Sequence, residues 1–140
     1  KMNLQSKDER IAAVAEKSLK EVTYHLRRSS EWIIRLGDGT TESKDRIQSS
    51  LNDLWFYTHE IFEMDSVDQA MLASGIAPDL SKIKEKWEAK VEEILGLAKL
   101  EKPESKFFAH GSKKGIHTEH LGFMLAEMQY LPRAYPHAKW

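Results

Sequence analysis

No cysteine occurs among the 140 residues. That removes a disulfide framework, a thiolate metal site and a cysteine nucleophile together, and it fits a reducing compartment. Charge of one sign is missing as well: 21 Lys and Arg stand against 22 Asp and Glu, for a net charge of -1. No overall field would draw this chain to nucleic acid or to anionic lipid. Nowhere does an apolar run approach the roughly 20 residues needed to cross a bilayer. The opening Lys1-Met2-Asn3-Leu4-Gln5-Ser6 does not read as a signal peptide. There is no G-x-x-x-x-G-K-[ST] phosphate loop and no G-x-G-x-x-G fingerprint, since Gly37-Asp38-Gly39 lies between two helical patterns and not after a strand. A cytoplasmic protein is expected, with neither nucleic acid nor membrane as partner.

Apolar material is sufficient for a core, with 41% hydrophobic and 31% charged residues. The length suits one domain, so a single all-α unit over residues 1–140 is expected. Internal repeats and low-complexity tracts are absent. The spacing predicts long helices near 7–36, 41–62, 80–99 and 118–131, with a short one opened by Ser66-x-x-Gln69 and closed by Gly75.

The first helix opens on Ser6-x-x-Glu9, a capping-box pattern, and stops at Gly37 and Gly39. Ile11, Val14, Ala15, Leu19, Val22, Leu26, Trp32, Ile33 and Leu36 fall in one stripe about 140° wide, which predicts a buried face. Ser18, His25 and Ser29 lie inside that stripe as a polar inlay and predict a buried hydrogen-bonded network. The short connection through Asp38 and Gly39 predicts that the first two helices pack side by side and antiparallel. Glu101 to Ile116 reads as a long loop whose Phe107 and Phe108 need a surface.

Two places have residue types that could do chemistry. His117 and His120 are three apart at a helix start with Glu119 between them, a spacing that could reach one metal ion. The zincin spacing is absent and no further local ligand is evident, so capping of the helix and hydrogen bonding to the glycine loop or a partner is the plainer reading. In the first helix, carboxylate-bridged di-iron bundles need a Glu three residues before an inward His. Three before His25 stands Val22, and Glu21, one position earlier, lies about 100° around the helix toward the stripe's edge. A di-iron centre is therefore not expected here. Lys113-Lys114 could touch a phosphate but reads more simply as solvated.

Three segments together go beyond a generic helical pattern. They are Lys20-Glu21-Val22-Thr23-Tyr24-His25-Leu26-Arg27-Arg28 with Leu36-Gly37-Asp38-Gly39-Thr40; Gly75-Ile76-Ala77-Pro78-Asp79; and Gly115-Ile116-His117-Thr118-Glu119-His120-Leu121-Gly122 running into Leu125-Ala126-Glu127-Met128-Gln129-Tyr130-Leu131. With them the chain resembles the C-terminal part of the PaaC family, the ferritin-like companion subunits of phenylacetyl-CoA 1,2-epoxidase.

The resemblance implies a ferritin-like helical bundle and a non-catalytic structural subunit of a multicomponent epoxidase acting in aerobic phenylacetate catabolism. It implies a catalytic partner of PaaA type that holds the di-iron centre, binds the coenzyme A thioester and inserts oxygen into the ring. A reductase component would supply electrons originating from NADPH. No cofactor or metal is implied for this chain itself, and Glu21, His25, His117, Glu119 and His120 become structural or interface candidates.

Members of the family are considerably longer. This chain is accordingly expected to be the C-terminal fragment of a longer domain, its apolar stripe covered by the remaining helices, by another copy or by a second chain. Pro132 is expected to interrupt the last helix. The competing expectation, from a different functional class, is a small helical metalloenzyme built on His117, Glu119 and His120 with His110 or His25.

Overall fold

Helix starts in this chain are set by carboxylates and hydroxyls that accept otherwise unpaired backbone N–H groups. In the computed structural model, which describes residues 5–139, five α-helices and no strand are found among the described residues. They are α1 (Glu9–Gly37), α2 (Thr41–Trp55), α3 (Ser66–Ala73), α4 (Leu80–Leu97) and α5 (Glu119–Ala134), with short 3-10 turns at His59–Phe62 and Ser112–Lys114. Residues 1–4 of the opening segment, and Trp140, lie outside the described residues.

The predicted start of α4 holds, its end falls at Leu97 and not at 99, and the other boundaries shift as well. Asp8, not Ser6, caps α1 by accepting from the amides of Arg10 and Ile11. Ser6 instead donates to the carbonyl of Ile76 at 2.8 Å. Asp65 likewise displaces Ser66 as the cap of α3 and forms a reciprocal capping box with Asp68. In both cases a carboxylate close to the expected hydroxyl is the stronger acceptor. The predicted helix 41–62 ends at Trp55, where the Thr58 hydroxyl donates to the Trp55 carbonyl at 2.7 Å and the chain tightens into the 3-10 turn. Pro132 does not interrupt α5, which continues through it to Ala134. Only two helical residues follow the proline, so the ladder is nearly complete before the missing donor matters.

The core is small. Leu95, Ala98 and Leu100 are buried, with Ile33, Ile34, Ile47, Leu51 and Val91 packed around them. It lies where the end of α1, the hairpin into α2 and the end of α4 meet. Three residues link α1 to α2, so the pair is an antiparallel hairpin, as the sequence predicts. The segment just before α1 is tied to the α3–α4 connection through Lys7 N–H to the Gly75 carbonyl at 3.0 Å. Because α4 ends beside Gly37, it runs in the same overall direction as α1.

Leu100 is turned inward by a Schellman arrangement at the end of α4. Its N–H donates to Leu95 and the N–H of Lys99 to Gly96, with Lys99 in the left-handed region at φ 56. The Lys99 ammonium reaches the Asp38 carboxylate at 2.6 Å, joining this cap to the α1–α2 turn. Gln48 then grips Glu101 twice, donating to its carbonyl and accepting from its N–H, each at 2.9 Å.

Beyond Glu101 the chain forms a strap over the 3-10 turn and the start of α3. The Ala109 N–H donates to the Phe56 carbonyl at 3.0 Å, and Phe108 lies 4.3 Å from the His59 ring. His110 pairs with Glu63, and Lys113 with Asp68. The Lys113 hydrogen bond, then the backbone N–H of Asp65, hold the Asp68 carboxyl below its ordinary value. The same pairing raises Lys113 above its own.

Two measurements test this framework. A Cβ on Gly37 would sit 2.4 Å from the Ala98 carbonyl oxygen, a backbone atom that cannot yield. Gly37→Ala is expected to destabilise the chain by about 1–3 kcal/mol in urea unfolding; unchanged stability would mean the helices do not meet there. For the strap, the depressed Asp68 contributes above the ordinary carboxyl value of 3.8 and ceases to as pH falls through its lowered value. Lys113 contributes below 10.5 and ceases to as pH rises through its raised value. The amide NMR signal of Ser112 is expected to shift as pH falls below 3.8. In Asp68→Asn it should already be displaced at pH 7.

Candidate functional site

The structure separates the residues that sequence reasoning groups. His25, expected to face inward within a buried polar network with Ser18 and Ser29, does not do so. Its side chain is 73% exposed and its ring stands 3.9 Å from the Glu21 carboxylate, one turn back on the same outer surface. Ser29 turns its hydroxyl onto its own helix, donating to the carbonyls of His25 at 2.8 Å and Leu26 at 3.1 Å. Ser18 is exposed too. The predicted buried face is covered in part: Ile33 packs on the core, whereas Val14, Val22 and Leu26 are 65%, 60% and 50% exposed. Helix α1 spans about 44 Å and α2 only about 22 Å at 1.5 Å per residue, so α2 cannot cover it. Among the described residues, no helix lies over α1 from the tie at Lys7 to Val22.

His117, Glu119 and His120 are all exposed at the start of α5. Thr118 occupies the cap position with no side-chain hydrogen bond to the helix, so the capping expected of this cluster is not formed. Among the described residues no three or more His, Asp or Glu side chains converge to hold a metal ion. The donor set does not fit a di-iron centre either. Val22 stands where a ligand carboxylate would be needed, and Glu21 is directed into solvent beside His25.

What the fold does bring together is apolar. A groove of about 290 Å³ opens between α1, α2 and α4, walled by Leu26, Ile33, Leu54, Trp55, Trp87 and Ile94, with Ser29 and Ser30 at one edge. Trp55 is buried and stacks on Trp87 with centroids 5.8 Å apart; Phe62 closes on Trp87 at 5.2 Å. Sequence reasoning places each tryptophan on an apolar helix face, but not opposite each other, since they are 32 positions apart and meet only by tertiary packing. Helix α5 presents Met124, Met128 and Leu131 to solvent along one stripe and Phe123 and Tyr130 along another. No helix among the described residues is long and apolar enough to cross a membrane.

Charge on α1 is arranged along its length. Arg27 pairs with Glu31 at 3.9 Å, and Arg28 and Arg35 flank Trp32 at 5.6 and 5.2 Å from its ring. A helix bearing i,i+4 pairs and arginine–aromatic contacts keeps its shape with little packing beneath it.

Comparison with known proteins accords with this outline. The model of the family described as phenylacetic acid catabolic protein matches residues 1–140. The chain is 44% identical over 137 residues to the C subunit of 1,2-phenylacetyl-CoA epoxidase of Escherichia coli (strain K12). That match takes in 98% of this chain and 55% of the relative, so the chain spans about half the length of the curated relative it matches. With the family model matched from end to end and an all-helical chain beneath it, this protein belongs to the phenylacetic acid catabolic protein family.

Proposed function

We propose that the chain is a non-catalytic structural part of a multicomponent phenylacetyl-CoA epoxidase. Its role is to hold and position a PaaA-type catalytic subunit, which provides the di-iron centre, the thioester site and the oxygen-inserting chemistry. The observation that carries this reading is the 44% identity to the E. coli epoxidase subunit over nearly the whole chain. Phenylacetyl-CoA enters through that relative alone, since nothing in the groove or the strap selects a coenzyme A thioester.

Physical features support a docking role over a catalytic one. The side chains that could ligate a metal are dispersed and solvated, whereas the large apolar residues are gathered on α1, α5 and the groove. Exposed apolar faces on ordered helices gain most when a partner removes them from water. On this reading the chain holds no cofactor of its own, works in the cytoplasm and has the other epoxidase subunits as partners.

Two experiments test it, each on the full-length protein. Val22→Asp and Leu26→Asp together are expected to weaken capture of the catalytic subunit by about tenfold or more, the equivalent of ~1.4 kcal/mol. Helical content should stay unchanged, because both side chains already face solvent. Failure of the unaltered protein to capture the catalytic subunit, with that subunit stable and fully active alone, would end the proposal. In elemental analysis, iron is expected to follow the catalytic subunit. Stoichiometric metal on this chain, lost in His120→Ala, would favour the metalloenzyme instead.

A further inference from the structure

Helix α5 is attached to the rest of the chain in an unusual way. The helices that pack together are α1 with α2 and α1 with α4, and α4 also meets the His59–Phe62 turn. Among the described residues no packing of α5 on another helix ranks with these, and the strap precedes α5 in the chain. The strap sets Phe108 against His59, and from Ala109 onward it is fastened by polar groups at the surface. His110 pairs with Glu63, Lys113 pairs with Asp68 and donates to the Glu63 carbonyl at 2.9 Å, and the Ser112 N–H donates to Glu60 at 3.2 Å. One residue before His110, the Ala109 N–H holds the Phe56 carbonyl.

Alongside these fastenings the backbone turns through two glycines in the left-handed region, Gly111 at φ 98 and Gly115 at φ 80. At Gly111 a Cβ would also fall 2.9 Å from Ile116. Glycine is the residue that takes this conformation without strain and that allows the largest change of direction when restraint is removed.

We propose that Ala109 to Lys113 form an electrostatic latch that fixes the direction of α5, and that releasing it frees α5 to swing as an arm about Gly111 and Gly115. The groups that face the latch are Glu60 and Glu63 from the 3-10 turn and its end, Asp65 that caps α3 and Asp68 in its first turn; the strap supplies the His110 ring and the Lys113 ammonium. Acid outnumbers base here, so the latch depends on Lys113 being in place. Its ion pairs are exposed at the surface, where added salt screens them: the screening length falls from about 10 Å at 0.1 M to about 3 Å at 1 M. The core at Leu95, Ala98 and Leu100 contains no charge and is untouched by the same treatment.

The cysteine-free sequence makes the test direct. Spin labels on cysteines introduced in the full-length protein at Glu85 of α4 and Glu127 of α5 report the distance between the arm and the body. A second pair, at Glu31 of α1 and Glu93 of α4, reports the body alone. At low salt the first pair is expected to give one narrow distance peak, which broadens or splits at 1 M salt while the second pair stays narrow. Lys113→Gln and Asp68→Asn should each give the broad distribution already at low salt and lose the response to added salt. An arm distance that stays narrow in 1 M salt overturns the latch, as does one that is broad in the parent at every salt concentration. Should either variant lose helicity, the salt titration of the parent decides by the same criteria.

Discussion

The close approach of two backbones at Gly37 is the contact on which the rest of the arrangement depends. With no side chain there, the end of α1 comes against Ala98, and Leu100 can fold in beneath it. The Schellman turn that delivers Leu100 places Lys99 in the left-handed region, and its ammonium meets Asp38 in the turn that begins the hairpin. One junction thus fixes the hairpin, the end of α4 and, through Gln48 and Glu101, the start of the strap.

A core this small leaves much of the apolar surface in water. α1 is held at its two ends, by the α3–α4 connection near Lys7 and by the core near Ile33, and its middle is spanned by nothing among the described residues. α5 has still less support. Burying these faces against a partner removes an unfavourable exposure that the chain cannot relieve by itself. The proposed structural role would relieve that same exposure.

Polar chemistry is distributed in the opposite manner. Histidines and carboxylates that could act together at a reactive centre are instead spread over the outer surface as i,i+4 pairs, or used to fasten the strap. Charge acts structurally in the strap, where Asp68 and Lys113 each shift the titration of the other, while His25, His117 and His120 lie on open surface. Among the described residues the helices converge on leucine, alanine and tryptophan.

Local sequence was enough to determine the helical class, the existence and approximate position of four long helices, the glycine-bounded turn at 37–39 and the missing ligand position at Val22. Each depends on neighbours within about two turns, where spacing and capping chemistry act directly. The exact caps were displaced by one or two residues because a carboxylate such as Asp8 or Asp65 competes better for backbone amides than the nearby serine. Only the tertiary structure decided which apolar stripe is covered. Periodicity shows that Val22 and Leu26 share a face, but whether a face is buried depends on the length and placement of other helices, and α2 is too short to reach it. The pairing of Trp55 with Trp87 and of Asp68 with Lys113 was decided at the same level, since residues so far apart in the chain meet only after the core around Gly37 has brought their helices together.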